Sequence, residues 1–345
     1  MSERLARLRE ALDEPLLVSS PINVRYLTGF QSSNAAVLVE PDRARLFTDF
    51  RYVEAARGVE GVELVELPRN LYPALAELLS GRIGFESDHM SFGRYETLGA
   101  GNAELVPHRG LVETLREIKD ENELELVSRA AEITDEAYAR LARERFAGRS
   151  ERELAWQLEV FLHELGSQGV AFEIIVASGP NAALPHARPT DRRVGQRETV
   201  IVDAGCTVNG YHSDCTRTFA TGDLPVALAS AYEVCLRAQQ AGLSAVAPGA
   251  EGVDVDAVAR AVIEAEGLGE RFGHGLGHGV GLEVHERPWL NPELESTLSP
   301  GNVVTVEPGI YLPGLGGVRI EDLVIVRKDG AEVLSSFTKE LVVVE

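Results

Sequence analysis

Apolar positions recur along this chain in two rhythms. Up to about residue 115, short apolar runs alternate with stretches of helical period. Residues 16–19, 35–40, 45–48, 62–66, 83–86 and 104–106 are predicted strands, and 50–57 and 71–79 predicted helices. Such alternation predicts a small α/β unit. Beyond Leu115 the rhythm changes. Residues 119–145 carry apolar side chains at Leu124, Val127, Ala130, Ala131, Ile133 and Ala137, the spacing of one helix face. Asp120 with Glu123 three residues later forms the pattern of a capping box. A second helix is predicted over 150–165. Strands with turns rich in Gly, Pro and Asn follow from Ala171, helices return at 226–247 and 253–266, and strands run from Phe272 to Val344. Separate runs of helices and strands give this half an α+β character. The expected division is 1–116 and 117–345.

One segment is echoed by another. Thr199-Val-Ile-Val-Asp203-Ala-Gly205 resembles Val303-Val-Thr-Val-Glu307-Pro-Gly309. Both are apolar strands ending in an acid, and both lead through a turn to a second acid, Asp214 or Glu321. The second half is therefore expected to contain two related halves facing each other. The competing reading is a chance likeness between two hairpins, a common unit.

Composition narrows the classes. With 345 residues two domains are expected, and 44% hydrophobic residues suit folded cores. A net charge of -21 repels phosphate backbones, so nucleic acid is not an expected partner. Three cysteines, Cys206, Cys215 and Cys235, fit a reducing compartment better than a disulfide framework. The charged N-terminus does not read as a signal peptide, and no apolar run is long enough for a membrane helix. A soluble cytoplasmic protein that does not engage membranes is expected.

The chemistry lies in acids that interrupt apolar strands. Asp203 ends a β-branched run, and hairpin geometry would set Asp214 opposite it on one face. Two carboxylates that close need a proton or a cation between them. Glu307 and Glu321 repeat the arrangement. Arg319, two residues before Glu321, is placed to steady a carboxylate ligand. His274, His278 and His285 are interleaved with Gly275, Gly277, Gly279 and Gly281, which exclude a stable helix and let backbone approach a ligand. Four carboxylates and one imidazole form a hard donor set suited to Mn²⁺ or Co²⁺, with Fe²⁺ and Zn²⁺ as alternatives. Two such cations about 3.5–4 Å apart make a hydrolytic centre.

On these residues the chain resembles the proline-specific branch of the creatinase-like, or pita-bread, metallopeptidases: Xaa-Pro dipeptidase and aminopeptidase P. The resemblance covers nearly the whole chain. It implies a creatinase-like N-terminal α/β domain ahead of an α+β pita-bread catalytic domain, and two metal ions, Mn²⁺ first, held by Asp203, Asp214, His278, Glu307 and Glu321. It further implies Glu307 as general base, His186 in Leu184-Pro-His186-Ala-Arg-Pro as a catalytic group with His285, and His274 lining the substrate pocket. Imidazoles at such positions donate to an oxyanion or move protons. The absent side chains at Gly275, Gly277, Gly279 and Gly281 would leave room for a proline ring. His212, two before Asp214, falls on the ligand face by alternation, although the family does not use it. Cys215 should face away.

The implied activity is hydrolysis of Xaa-Pro bonds, with a proline-containing di- or oligopeptide as partner and a homodimer as the family's assembly. A dipeptidase needs a cation for the substrate's terminal carboxylate; Arg319, Arg188, Arg51 and Arg45 are the candidates. The compact chain favours the dipeptidase over aminopeptidase P. Methionine aminopeptidases share the five ligands but lack the His285-Glu286 context. A metal-free pita-bread binding module would not require the full ligand set.

Overall fold

The structure, a computed structural model, describes residues 3–345. It folds as two compact units, one ending at Arg116 and one spanning Glu117–Glu345.

The first unit is built on a six-stranded mixed sheet. Its strand order is Glu63–Glu66, Ala44–Thr48, Ala35–Val39, Leu16–Val18, Ser80–Glu86, Asn102–His108. Leu17, Leu38, Phe47 and Ile83 of the sheet pack with Leu71, Leu75, Leu79 and Leu98 from helices. The predicted 50–57 helix shortens to Val53–Ala56. Asp49 accounts for the loss: its carboxylate accepts from the Arg51 amide at 3.0 Å and from the Arg51 side chain, which holds the chain in a turn. Helices Pro21–Thr28 and Phe92–Gly99 are additional to the sequence reading.

The second unit contains two larger sheets, each with its own pair of helices, and two small two-stranded ones. Asp120 and Glu123 make both bonds of the capping box and start helix Glu121–Leu141, and Ser150 with Glu153 does the same for Glu151–Glu164. These helices bury Ala137, Tyr138, Leu141, Leu154, Leu158 and Leu162 against Val176, Val200, Val202 and Phe219. Those residues belong to a four-stranded sheet ordered Val342–Val343, Cys215–Ala220, Thr199–Ala204, Ile175–Ser178. Helices Val226–Ala245 and Gly252–Ala265 cover the other sheet through Ala238, Val255, Ala259, Val304 and Val324. Its order is Glu286–Leu290, Gly277–Gly279, Val303–Val306, Asp322–Arg327, Gly330–Val333. Burial of these apolar faces fixes the strand registers, since a one-residue slip would turn every side chain over.

The two halves share one plan. A strand ends in Asp203 or Glu307, a small hairpin follows, and a second acid, Asp214 or Glu321, stands directly before the returning strand. The returning strand pairs antiparallel with the first in both halves. The first hairpin, Thr207–Val208 with Tyr211–His212, turns at Asn209 and Gly210, whose φ values of 44° and 77° suit asparagine and glycine.

Candidate metal centre

The acids meet where the two sheets approach each other. Asp203 does not face Asp214 across the ladder as expected; Thr216 stands opposite it. Asp214 comes two residues earlier and is the diagonal neighbour on the same face. Carboxylate oxygens of Asp203, Asp214 and Glu321 all lie within 4.8 Å of one another. His278 Nε2 is 3.7 Å from Asp214 Oδ2 and 3.2 Å from Glu307 Oε1. The five residues named as ligands from sequence thus converge on one spot, and all but Glu307 are buried.

Four of these five residues are held from behind. Asp203 Oδ2 accepts from Arg319 at 2.7 Å, and Glu321 Oε2 accepts from Thr216 Oγ1 at 2.8 Å. Glu307 Oε1 is 3.1 Å from Thr305 Oγ1, which also accepts from the His278 amide. His278 Nδ1 lies 3.1 Å from Gly279 O. Donation there puts the proton on Nδ1 and leaves the Nε2 lone pair facing the acids, as a ligating imidazole requires. Glycines allow this placement. A Cβ on Gly277 would stand 2.0 Å from Thr305 O, and one on Gly279 2.2 Å from Arg287 O.

The electrostatics describe a site built for added positive charge. Burial, then repulsion from Glu321, Asp203 and Glu307, pushes the Asp214 carboxyl well above its ordinary range. Glu321 is raised in the same way by burial and by Glu307 and Asp203. Asp203 is also raised, chiefly by burial, against the pull of Arg319. At Glu307 burial is outweighed by the hydrogen bond and charge of His278, which hold the carboxyl at about 2. Two oxygens, Asp203 Oδ1 and Glu321 Oε1, are buried without any hydrogen-bond partner. An orphaned buried carboxylate oxygen is costly unless something ligates it. In both cases the other oxygen of the same group is tied to protein. The donor set therefore fits a pair of divalent cations.

A cavity of about 240 Å³ opens beside this cluster. Asp203, Asp214, His278 and Glu307 form one wall, with His186, His274, His285 and Arg319 around them and Phe172, Ile175 and Trp289 as apolar surface. The His285 ring centroid is 4.3 Å from that of His278. Burial and the neighbouring His278 lower the His285 pKa. His274 is held at both ring nitrogens, Nε2 2.9 Å from Tyr311 Oη and Nδ1 2.8 Å from Gly275 O, and burial lowers its pKa.

Other residues read differently in three dimensions. Arg319 donates to Asp203, Thr216, Tyr311 and the Pro185 carbonyl, so its guanidinium is committed to holding the site. Arg188 is exposed beside Glu173, while Arg45 pairs with Glu40 and Arg51 with Asp49 inside the first unit. The space expected at the glycines is mostly filled by protein: a Cβ on Gly281 would meet the Glu286 carboxylate, and only Gly275 and Gly277 border the cavity. His212 is 3.0 Å from Thr207 Oγ1 and does not line the cavity. Cys206 and Cys215 are packed in the core of their half. Tyr311 and Thr216 escaped the sequence reading. Each lies in a strand where Tyr and Thr are ordinary residues, so neither carried a signal.

Comparison with known proteins agrees with this geometry. Residues 125–328 match the sequence model of metallopeptidase family M24, and residues 4–118 match that of the Creatinase/Prolidase N-terminal domain. The chain is 34% identical over 350 residues to the Xaa-Pro dipeptidase of Pyrococcus furiosus, covering 99% of this chain and 100% of that protein. The solved structure of an Xaa-Pro dipeptidase from Bacillus anthracis superposes with a TM-score of 0.95 at 38% identity, covering 99% of each chain. That of an X-Pro aminopeptidase from Thermotoga maritima gives 0.90 at 32% identity, covering 98% of this chain and 100% of that one. The chain belongs to metallopeptidase family M24, with a creatinase/prolidase N-terminal domain ahead of its pita-bread catalytic domain.

Proposed function

We propose that this hydrolase cleaves the bond between a residue and a following proline, and acts chiefly on Xaa-Pro dipeptides. The observation that carries the reading is the pair of orphaned oxygens on Asp203 and Glu321, set among three further ligands at the wall of a peptide-sized cavity. A metal-free binding module has no use for them. The dipeptidase reading draws on two relatives of matching length that bear that name.

In this reading Asp203, Asp214, His278, Glu307 and Glu321 hold two divalent cations, and the hard donor set favours Mn²⁺. When bound, the cations supply Lewis-acid polarisation and lower the pKa of a water. The chain's own residues do the rest. Glu307, a carboxylate at the wall of the cavity, accepts the proton of the attacking water. His186 and His285 reach the cavity from different loops and donate to the oxyanion that forms at the scissile carbonyl. His274, with both nitrogens engaged, shapes the pocket. Phe172, Ile175 and Trp289 offer apolar surface to a ring that lacks an N–H and must be recognised by shape. The burial of all three cysteines as free thiols supports a cytoplasmic setting. A homodimer is the proposed assembly.

The test is kinetic. Xaa-Pro dipeptides should be cleaved well, Xaa-Ala dipeptides poorly and Xaa-Pro-Yaa tripeptides more slowly than dipeptides. Faster cleavage of tripeptides would assign the enzyme to aminopeptidase P, and equal rates on Xaa-Ala and Xaa-Pro would remove the proline specificity.

A further inference from the structure

His186 sits in a loop between two prolines and lines the cavity, with no side-chain hydrogen bond to any of the described residues. Its position depends on what fixes the loop. The chain leaves strand Ile175–Ser178 through the short helix Gly179–Ala183, passes Leu184, Pro185 and His186, and returns at Thr190. Both ends of this excursion close on one carboxylate. Glu151, the first residue of helix Glu151–Glu164, is fully buried. Its Oε1 accepts from the Ser178 amide and hydroxyl, each at 2.8 Å. Its Oε2 accepts from the Thr190 amide at 3.0 Å and hydroxyl at 2.6 Å. Asn181 Nδ2 reaches both oxygens at 3.1 Å.

An acid in the first turn of a helix ordinarily complements the helix dipole from the surface. Glu151 is instead turned inward, with one oxygen for the outgoing strand and one for the returning chain. Hydrogen bonds to an ionised acceptor are the strong ones, and a bidentate acceptor fixes direction as well as distance. Only Ala182 and Ala187 of the intervening segment enter a core cluster, and Pro185 contributes a carbonyl to Arg319. The carboxylate is therefore the central clasp at the base of the loop, supported by Arg192 Nη1 donating to Ser178 Oγ at 2.7 Å and by the Arg152 amide donating to Thr190 O.

We propose that Glu151 is a positioning residue for the reaction, holding the His186 loop so that the imidazole meets the transition state. The proposal rests on the role assigned to His186 above. Glu151 lies outside the ligand set and the cavity wall, so its effect passes through the loop.

Glu151→Gln is the informative change. The amide keeps the shape but turns an NH₂ toward donors at one end of the loop, which opens that end. The metal-loaded full-length protein should keep its metal content. Its kcat on an Xaa-Pro dipeptide should fall on the order of 10–100-fold with KM within about twofold, the cost of a small misplacement of a reacting group. Combined with His186→Ala, the substitution should add almost nothing, because both remove the same contact. Amide hydrogen exchange over 182–192 should quicken. Thr190→Val, which removes one of the donors to the carboxylate together with the hydroxyl that accepts from the Arg192 amide, should shift kcat and exchange in the same direction by less, and it serves as the test if Glu151→Gln fails to fold. An unchanged exchange rate, an unchanged kcat, or losses that multiply with His186→Ala would each overturn the proposal. Faster exchange together with wild-type turnover in His186→Ala would instead overturn the catalytic role of His186 and leave Glu151 as the clasp of the loop.

Discussion

Arg319 donates to Asp203 Oδ2 across 2.7 Å, while Oδ1 of the same carboxylate is buried without a partner. The ion pair orients the group and leaves its second oxygen for the centre. Arg319→Met strands Asp203 in the interior. The expected cost is about 3–5 kcal/mol of stability, as for a broken buried pair, read from urea unfolding. Metal content should fall, and dipeptides and tripeptides should lose activity together. A selective rise in KM for dipeptides would return Arg319 to reading the substrate carboxylate.

Removing the cations should make stability depend on pH in a defined direction. Asp214 and Glu321 are raised above their ordinary range by burial and by repulsion from neighbouring carboxylates. Above about pH 4 the unfolded chain releases protons that the folded apoprotein keeps. The folded state then binds more protons than the unfolded one, so stability falls as pH rises. The urea midpoint of chelated protein should drop from pH 5 to 8, and Asp214→Asn should flatten the slope. A midpoint that climbs over this range would contradict the description of the apo site.

Glu307→Gln removes a ligand and the proton acceptor in one step. A loss of about 10²–10⁴-fold in kcat is expected from the missing base alone. The protein should still fold, because Thr305 Oγ1 can donate to an amide oxygen as it does to the carboxylate. Turnover near that of the unmodified enzyme would dismiss Glu307 as the base.

Alanine at His186 or His285 should lower kcat more than it raises KM, because donors to an oxyanion act in the transition state. Metal content should remain that of the unmodified protein. Its collapse in either variant would make that histidine part of the ligand set.

The five residues that converge were legible because each acid stands where an apolar strand should continue or begin, and because glycines strip the chain around His278. The frame around them was less so. Tyr311 and Thr216 are what any strand contains, and only the folded chain brings them to Arg319 and Glu321. Glu151 has the local signature of a helix start, and nothing nearby announces that Ser178 and Thr190 will return to it. Helix Pro21–Thr28 did leave a signal, a proline in its first turn and Gly29 at its end with φ 72°, which the apolar pattern alone passes over. The Asp203–Asp214 pairing was misjudged by two residues because alternation along a strand takes no account of the small hairpin inserted between the acids.

The division of the acids between two sheets has a bearing on biosynthesis. Asp203 and Asp214 emerge from the ribosome before Glu307 and Glu321. The early pair flanks one sheet and the late pair flanks the other, so the full donor set exists only when both halves are folded together. Assembly of the complete centre thereby waits on the folding of the second half, and a chain stopped before Glu307 lacks two of the five donors.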